Sequence, residues 1–187
     1  MNNFNFTFIN TKRDEDEYID MLNKAYRDEY GYTIYDQSNN YSGFHTSIVC
    51  RNYDQKIVGG ISAYICDQKR QDQLPMEREG INLKKYAKLD DIRYAQICRA
   101  AVLREWRKFN LLGELMERCY QFCSRIECQK LFWVAKKFHS KLYEMEFLKR
   151  GVNVETLDKI KQTHYSKEKG ATEVYLYLSC CNMPRLR

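Results

Sequence analysis

The sequence RYAQICRAAVLREWRKFNLLG, residues 93–113, joins an apolar run to a basic cluster and then to the start of an amphipathic helix. In the apolar run, small and hydrophobic residues are interrupted only by Gln96 and Arg99, a pattern typical of a strand buried on both faces. The basic cluster at 104–108 follows. Because a helix start presents backbone N–H groups without partners inside the helix, positive charge at this junction predicts an anion site. The alternative is a strand–helix junction with solvated charges.

The chain after this stretch alternates helices and strands. We expect a helix that buries one face, then a short strand at 131–135, a helix over 138–149 ended by Gly151, and a strand at 172–179. The residues on that first buried face are Leu112, Leu115, Met116, Cys119, Cys123 and Ile126. The lysine-rich segment 158–171 is predicted to be a mobile loop.

The chain before it begins with a predicted strand at 4–9 and a helix that Thr11 caps and Gly31 ends. A loop is expected over 32–43, and an antiparallel hairpin pairs 45–51 with 56–66. Gly59 and Gly60 lie inside the second hairpin strand, so we expect a bulge or a close backbone approach there. A long irregular connection is predicted over 67–92. The order of elements indicates an α/β protein with one mixed sheet.

Bulk composition favours one globular domain spanning 1–187. Hydrophobic residues make up 44% and charged residues 30% of the 187 positions. Because no apolar run approaches the roughly 20 residues that span a bilayer, and the N-terminus lacks a signal-peptide pattern, we expect no transmembrane segment and a cytoplasmic location. The eight cysteines lack metal-ligand spacing, so we interpret them as small buried hydrophobic residues and expect no metal.

The net charge of +6 predicts an acidic partner. Nucleic acid, anionic lipid and an acidic carrier protein all fit the sign of this charge. Because the basic residues are dispersed and carry no helix-turn-helix, zinc-finger or RNA-recognition signature, we do not expect nucleic-acid binding.

Residues 102–116, VLREWRKFNLLGELM, resemble the phosphate-binding motif of the GNAT acyltransferase superfamily, in which Arg-x-x-Gly-x-Gly follows an apolar strand end. Arg107 matches the arginine, and Asn110 and Leu112 stand where the two glycines would be. In the register shifted by one, Lys108 comes first and Gly113 is the second glycine. Bulky residues in place of glycine disfavour a close cradle for the diphosphate of coenzyme A.

Further short matches resemble one branch of that superfamily, the acyl-homoserine-lactone synthases and N-acyl amino acid synthases. Gln96 and Arg99 hold the places of a Glu-x-x-Arg motif on the central strand. The other matches, in chain order, are Tyr35-Asp36, Ser42 with His45, Ile57-Val58-Gly59 and Leu74-Pro75. Gln96 replaces a carboxylate, and Ser62 or Ala63 stands where an arginine is usual, so lactone formation is not expected.

The resemblance implies a GNAT-like N-acyltransferase fold, a mixed sheet of six or seven strands flanked by helices, with a V-shaped cleft. It also implies donor contacts to acyl-CoA or acyl-acyl carrier protein from a set of residues around the basic cluster: Val102, Leu103, Arg107, Lys108, Phe109, Asn110, Leu112 and Gly113. Arg99 is either part of a structural salt bridge or a clamp for a substrate carboxylate.

Tyr143 resembles the tyrosine that protonates the leaving thiolate in many members of the superfamily, although it also fits a core position. His139 lies one helical turn earlier and is the second candidate for acid or base. His45 and Glu77 are weaker candidates for the base.

We therefore predict an N-acyltransferase that takes an acyl group from acyl carrier protein or coenzyme A and transfers it to a small-molecule amine, with amino acids among the candidate acceptors. A coenzyme A-dependent N-acetyltransferase for a small molecule or a protein is the alternative within the enzyme class. A non-catalytic binding module with the same fold is the alternative outside it. Acyl carrier protein is the expected macromolecular partner.

Overall fold

The computed structural model describes residues 4–31, 44–67, 73–89, 92–166 and 170–183. The strands are β1 Asn5–Phe8, β2 His45–Arg51, β3 Ile57–Asp67, β4 Arg93–Val102, β5 Cys128–Lys136, β6 Val154–Ser166 and β7 Gly170–Asn182. The helices are α1 Lys12–Tyr30, α2 Pro75–Arg78, α3 Leu111–Arg125 and α4 Lys137–Leu148, with 3₁₀ segments at Leu83–Lys85 and Arg104–Phe109. The loop predicted at 32–43 lies outside the described residues.

Seven strands form one mixed sheet in the order β1-β2-β3-β4-β5-β7-β6, which confirms the predicted α/β class and strand number. β1 and β2, β2 and β3, β5 and β7, and β6 and β7 pair antiparallel. α3 connects the neighbours β4 and β5, as a crossover helix does between strands of one sheet. The V-shaped cleft stays a prediction.

Helix α1 forms where its end signals predicted it. The Thr11 side chain accepts a hydrogen bond from the Asp14 N–H at 3.1 Å, and Gly31 ends the helix with φ 75°. Its buried residues follow a helical repeat: Tyr18, Ile19, Met21, Leu22 and Ala25. This face packs with Val49, Ile57 and Leu103 in one apolar cluster.

The prediction of a loop at 158–171 is wrong. Residues 154–166 form strand β6, which pairs with β7 from Val154↔Cys181 to Ser166↔Gly170. β6 is an edge strand, and its exposed lysines are the residues by which proteins protect such an edge from pairing with another chain. A register shift between Thr156 and Asp158 also interrupts the apolar–polar alternation by which a strand is recognised in sequence.

Three smaller differences concern boundaries. The connection predicted to be irregular contains α2 and a 3₁₀ segment, and it buries Leu74, Met76 and Leu83. β5 spans nine residues, so it is longer than the predicted 131–135. On α3, Leu112 is half-buried whereas Leu111 is 2% exposed, because the helix begins after a left-handed Asn110 that turns Leu111 inward.

The chain divides into two compact units. The first contains the described residues of Met1–Tyr64 and Ile97–Phe122, and the second those of Ile65–Gln96 and Cys123–Arg187. A cluster around α1 forms the core of the first unit, and Trp133, Phe132 and Phe147 are fully buried in the second. The expectation of a single domain over 1–187 stays a prediction. All eight cysteines lie in the described part of the chain as thiols outside disulfides, and seven are buried.

Candidate active site

The predicted donor segment joins β4 to α3 through the 3₁₀ segment Arg104–Phe109. Asn110 follows with φ 55°, and its carbonyl accepts the Glu114 N–H at 3.4 Å at the start of α3. The positive end of the helix dipole lies at this start, where an anion is favoured.

Asn110 occupies the position of an expected glycine and adopts the left-handed conformation that glycine adopts most readily. Asparagine tolerates this conformation better than other residues with a Cβ atom. The backbone turn into α3 is therefore made without glycine, although the Asn110 side chain still projects from it. Gly113, the glycine of the alternative register, is buried in the first turn of the helix.

Arg107 is already engaged within the protein. Its Nε donates to the Val102 carbonyl at 3.1 Å, and its Nη1 donates to Glu29 Oε2 at 2.8 Å. Lys108 is exposed, and its Nζ lies 5.1 Å from the centre of the Phe109 ring. Arg107 thus supports the shape of the segment, while Lys108 is the more available cation for a phosphate.

An aromatic cluster lies against the donor segment, and our sequence analysis missed it. The Trp106 ring centre lies 5.8 Å from Phe109, 5.8 Å from Phe4 and 6.5 Å from Tyr53. Phe4 also lies 5.3 Å from Phe109. The signal in the sequence was the presence of two aromatic residues, Trp106 and Phe109, within the basic run.

The central strand β4 carries Gln96 and Arg99 in different surroundings. Gln96 Oε1 accepts the backbone N–H of Met76 at 3.0 Å, so the amide anchors α2 within the second unit. Arg99 is 9% exposed, has φ 51°, and places its guanidinium carbon 5.7 Å from the centre of the Tyr64 ring.

The glycine pair in β3 marks a close approach, as predicted. A Cβ atom on Gly60 would lie 2.3 Å from Cε2 of Tyr18, and one on Gly59 would lie 3.1 Å from Cγ2 of Val102. A register shift also pairs Cys50 with Gly59 and Arg51 with Ile57, so the predicted bulge is present as well.

Tyr18 uses this space to reach β4, a contact that our sequence analysis did not identify. Its hydroxyl donates to the Arg99 carbonyl, and the Ser62 hydroxyl donates to the Tyr18 oxygen at 3.5 Å. Ser62 and Ser47 share a hydrogen bond of 2.7 Å. Burial raises the pKa of Tyr18 well above its usual value, so its phenol stays protonated and can donate.

The two weaker candidates for the base lie in different units. His45 stacks on Tyr64 with ring centres 5.0 Å apart, and it lines a cavity of about 300 Å³ beside the start of α1. Glu77 Oε2 accepts the Leu74 N–H at 3.0 Å and the Tyr94 hydroxyl at 3.4 Å in the second unit.

Tyr143 and His139 lie on α4, also in the second unit. Tyr143 is 8% exposed and packs edge-on against Trp133, with ring centres 6.3 Å apart. Phe147 stacks on Trp133 as well, with ring centres 5.2 Å apart. His139 is half-buried, 5.6 Å from the Phe138 ring centre.

Arg99 and the donor segment lie in the first unit, and Tyr143 and His139 lie in the second. Within the described ranges, no group of three or more His, Cys, Asp or Glu side chains is arranged to hold a metal ion. Every helix in those ranges is too short or too polar to span a bilayer.

Comparison with known proteins assigns the family. The model of the acetyltransferase (GNAT) family matches residues 14–152. A search of curated protein sequences finds no match.

Solved structures share the fold at low sequence identity. FeeM, an N-acyl amino acid synthase from uncultured soil microbes, is 12% identical with a TM-score of 0.69, covering 98% of this chain and 93% of its own. Arabidopsis thaliana NAA60 in complex with acetyl-CoA is 14% identical with a TM-score of 0.62, covering 94% and 97%. TofI, in a ternary complex with an inhibitor and MTA, is 12% identical with a TM-score of 0.57, covering 98% and 91%.

Proposed function

The chain belongs to the GNAT acetyltransferase family and is an N-acyltransferase, and on that premise we propose that it transfers an acyl group from acyl carrier protein to the amino group of an amino acid. The donor segment is the observation that carries the proposal. It keeps the helix start that favours a phosphate, yet Asn110 and Leu112 stand where the family motif has glycines, and Trp106 packs against Phe109 within the segment. A carrier protein presents one phosphate on a flexible arm, which needs less room than the diphosphate of coenzyme A.

The basic residues beside that segment support an acidic protein partner. Arg104 and Lys108 are exposed, and the whole chain carries a net charge of +6. Complementary charge accelerates association of two proteins and favours the correct partner. The acceptor is proposed from the similarity in fold to FeeM, which is an N-acyl amino acid synthase.

Each chemical requirement of the reaction has a proposed residue. The amine nitrogen attacks the thioester carbonyl carbon, the new C–N bond forms, and the C–S bond breaks with release of a thiolate. Arg99 holds the acceptor carboxylate, and the start of α3 with Lys108 holds the donor phosphate. Tyr143 gives its proton to the thiolate sulfur, with His139 as the second candidate, and the proton that the amine loses restores the phenol.

A coenzyme A-dependent N-acetyltransferase is the second candidate function. Asn110 favours it, because the left-handed turn that a glycine would make is present. NAA60, which shares the fold, was solved with acetyl-CoA. The third candidate is a non-catalytic binding module. A cytoplasmic location stays a prediction.

Parallel assays with two donors distinguish these candidates. We expect the full chain to form N-acyl amino acids from acyl-acyl carrier protein and a mixture of amino acids, detected by mass spectrometry, with at least tenfold lower kcat/KM for the matching acyl-CoA. Turnover of acetyl-CoA without turnover of the carrier-bound donor would assign the acetyltransferase. Binding of either donor without any turnover would assign the binding module.

Charge reversal tests how the exposed basic residues of the donor segment contribute to binding of the carrier-bound donor. We expect Arg104→Glu with Lys108→Glu to raise KM for acyl-acyl carrier protein at least tenfold at low salt, since opposite charges steer the encounter. Arg107 is left in place, because it also holds Glu29 and the Val102 carbonyl. Lys88→Glu, at an exposed position in the second unit, is the control. Equal KM values for both variants would contradict the assignment of the surface.

A further inference from the structure

Arg99 has a backbone conformation that its position in a strand does not explain. It lies in the middle of β4 with φ 51°, in the left-handed region that residues with a Cβ atom rarely adopt. Such a conformation persists where the surrounding structure holds it, and it changes the direction in which the side chain leaves the strand.

Tyr18 contacts the Arg99 backbone directly. Its hydroxyl donates to the Arg99 carbonyl, and its ring is 1% exposed. The ring fits because residue 60 is glycine, where a Cβ atom would come within 2.3 Å of Cε2. Ser62 donates to the Tyr18 oxygen at 3.5 Å and is itself paired with Ser47 at 2.7 Å, so the phenol is held from both sides.

The Arg99 side chain is placed by this arrangement on the part of the sheet that carries Tyr64. The guanidinium carbon lies 5.7 Å from the Tyr64 ring centre, and His45 stacks on the same ring at 5.0 Å. His45 and Tyr64 are opposite one another in the β2–β3 register, as are Ser47 and Ser62. Ser47, Ser62, Tyr18, Arg99 and Tyr64 are thus connected through successive contacts within the first unit.

We propose that Tyr18 is a positioning residue for acyl transfer, whose hydroxyl holds the Arg99 backbone in its left-handed conformation and so directs the guanidinium to the carboxylate of the acceptor. This inference rests on the proposed function in that it assumes an acceptor with a carboxylate. Tyr18 itself touches neither substrate, and no proton moves through it. Removal of the Tyr18 hydroxyl should therefore weaken binding of the acceptor, because the Arg99 backbone on β4 would no longer be held.

Steady-state kinetics of the full chain test the claim with Tyr18→Phe, Arg99→Gly and the double variant. Tyr18→Phe is expected to raise KM for the amino acid at least tenfold while KM for the acyl donor stays within twofold of the wild type. The double variant is expected to match Arg99→Gly, because Tyr18 has nothing left to position. Tyr86→Phe, which removes a tyrosine hydroxyl that donates to Asp158 in the second unit, is the matched control and should leave both KM values unchanged.

Thermal unfolding of the wild type, Tyr18→Phe, Arg99→Gly and the double variant tests, without an activity assay, whether Tyr18 holds the Arg99 backbone. Glycine adopts a positive φ without strain, so the loss of melting temperature caused by Tyr18→Phe should be smaller in the Arg99→Gly background. This comparison holds even where Tyr18→Phe alone folds poorly. Equal losses in both backgrounds, or additive losses of kcat/KM for the acceptor, would overturn the proposal.

A crystal structure of Tyr18→Phe separates this inference from the proposed function. Should the wild type acylate amines that lack a carboxylate, the proposed acceptor is wrong. A negative φ at Arg99 in the variant would then still support the positioning role of Tyr18. A φ that stays near its present value in the variant would overturn that role, whatever the acceptor proves to be.

Discussion

Arg99 in the first unit and Tyr143 in the second are 9% and 8% exposed, yet the contacts around them differ in kind. Arg99 has a left-handed backbone, a carbonyl that accepts from Tyr18, and a guanidinium over an aromatic ring. Tyr143 lies in a regular helix, and its ring packs against Trp133.

The difference shows which observation carries information about function. A buried aromatic ring in a helix is stabilised by burial and by ring packing, and phenylalanine would keep the same ring contacts. A buried guanidinium on a left-handed residue requires neighbours that hold it, so its position is specified by several residues at once. Removing one contact at each site should therefore affect stability at Arg99 and catalysis at Tyr143.

Gly60→Ala should give the largest loss of stability. The new Cβ atom would lie 2.3 Å from the Tyr18 ring, which is buried and cannot swing into solvent, so the free energy of unfolding should fall by about 3 kcal/mol. Urea denaturation measures the change. Gly59→Ala is the matched control in the same strand. Its new Cβ atom would lie 3.1 Å from a methyl group of Val102, so the free energy of unfolding should fall by only about 1 kcal/mol. Equal losses would contradict a specific role for residue 60 in seating Tyr18.

The close approach at this site was predictable from sequence, but its partner was not. Gly59-Gly60 inside an apolar strand indicates a bulge or a backbone approach, and the structure has both. Tyr18 is buried on the apolar face of α1, at a helical spacing from Met21 and Leu22. Its hydroxyl contact with Arg99 spans 81 positions of sequence, and no local pattern encodes a bond of that separation.

Tyr143→Phe should cause a smaller free-energy change, which should affect catalysis and leave the stability of the fold unchanged. If the phenol protonates the thiolate, kcat should fall about 100-fold, which is about 2.7 kcal/mol of transition-state stabilisation. The melting temperature should stay close to the wild type, because the ring contact with Trp133 is kept. His139→Gln is the companion variant on the same helix, with a smaller expected loss of kcat. Unchanged kcat in Tyr143→Phe would assign Tyr143 to the core and leave His139 as the candidate acid.

The edge of the sheet shows why some elements could not be predicted. The lysines of 158–171 suggested a loop, yet Lys159 and Lys161 are exposed residues of the edge strand β6. Charged residues suit a loop and an edge strand equally well, so composition does not separate the two. The buried strand β4 was predicted correctly, because its continuous apolar run is typical of a strand buried on both faces of a sheet.

Glu146→Gln should give the smallest effect, and one that depends on pH. Glu146 lies near the end of α4, the helix of Tyr143, with its Oε1 2.6 Å from Lys149 Nζ and its Oε2 3.1 Å from Arg150 Nη1. Burial alone would raise the pKa of Glu146, but the hydrogen bonds from Lys149 and Arg150 outweigh it and lower the pKa below 4.5. A carboxylate with a lowered pKa in the folded state adds stability at neutral pH, and this stability is lost as the pH falls through that pKa.

The variant should therefore lose about 1 kcal/mol at pH 7 and progressively less as the pH falls below 4.5, where the wild-type carboxylate becomes protonated as well. Urea denaturation across this pH range measures both quantities. Glu173→Gln is the control, because its ion pair with Lys161 is more than half exposed and contributes little. A loss that is independent of pH would mean that the carboxylate charge does not hold the end of α4. In that case the end of α4, like the ring contacts of Tyr143, would be held by packing rather than by charge, and the contrast with the hydrogen-bonded surroundings of Arg99 would become sharper.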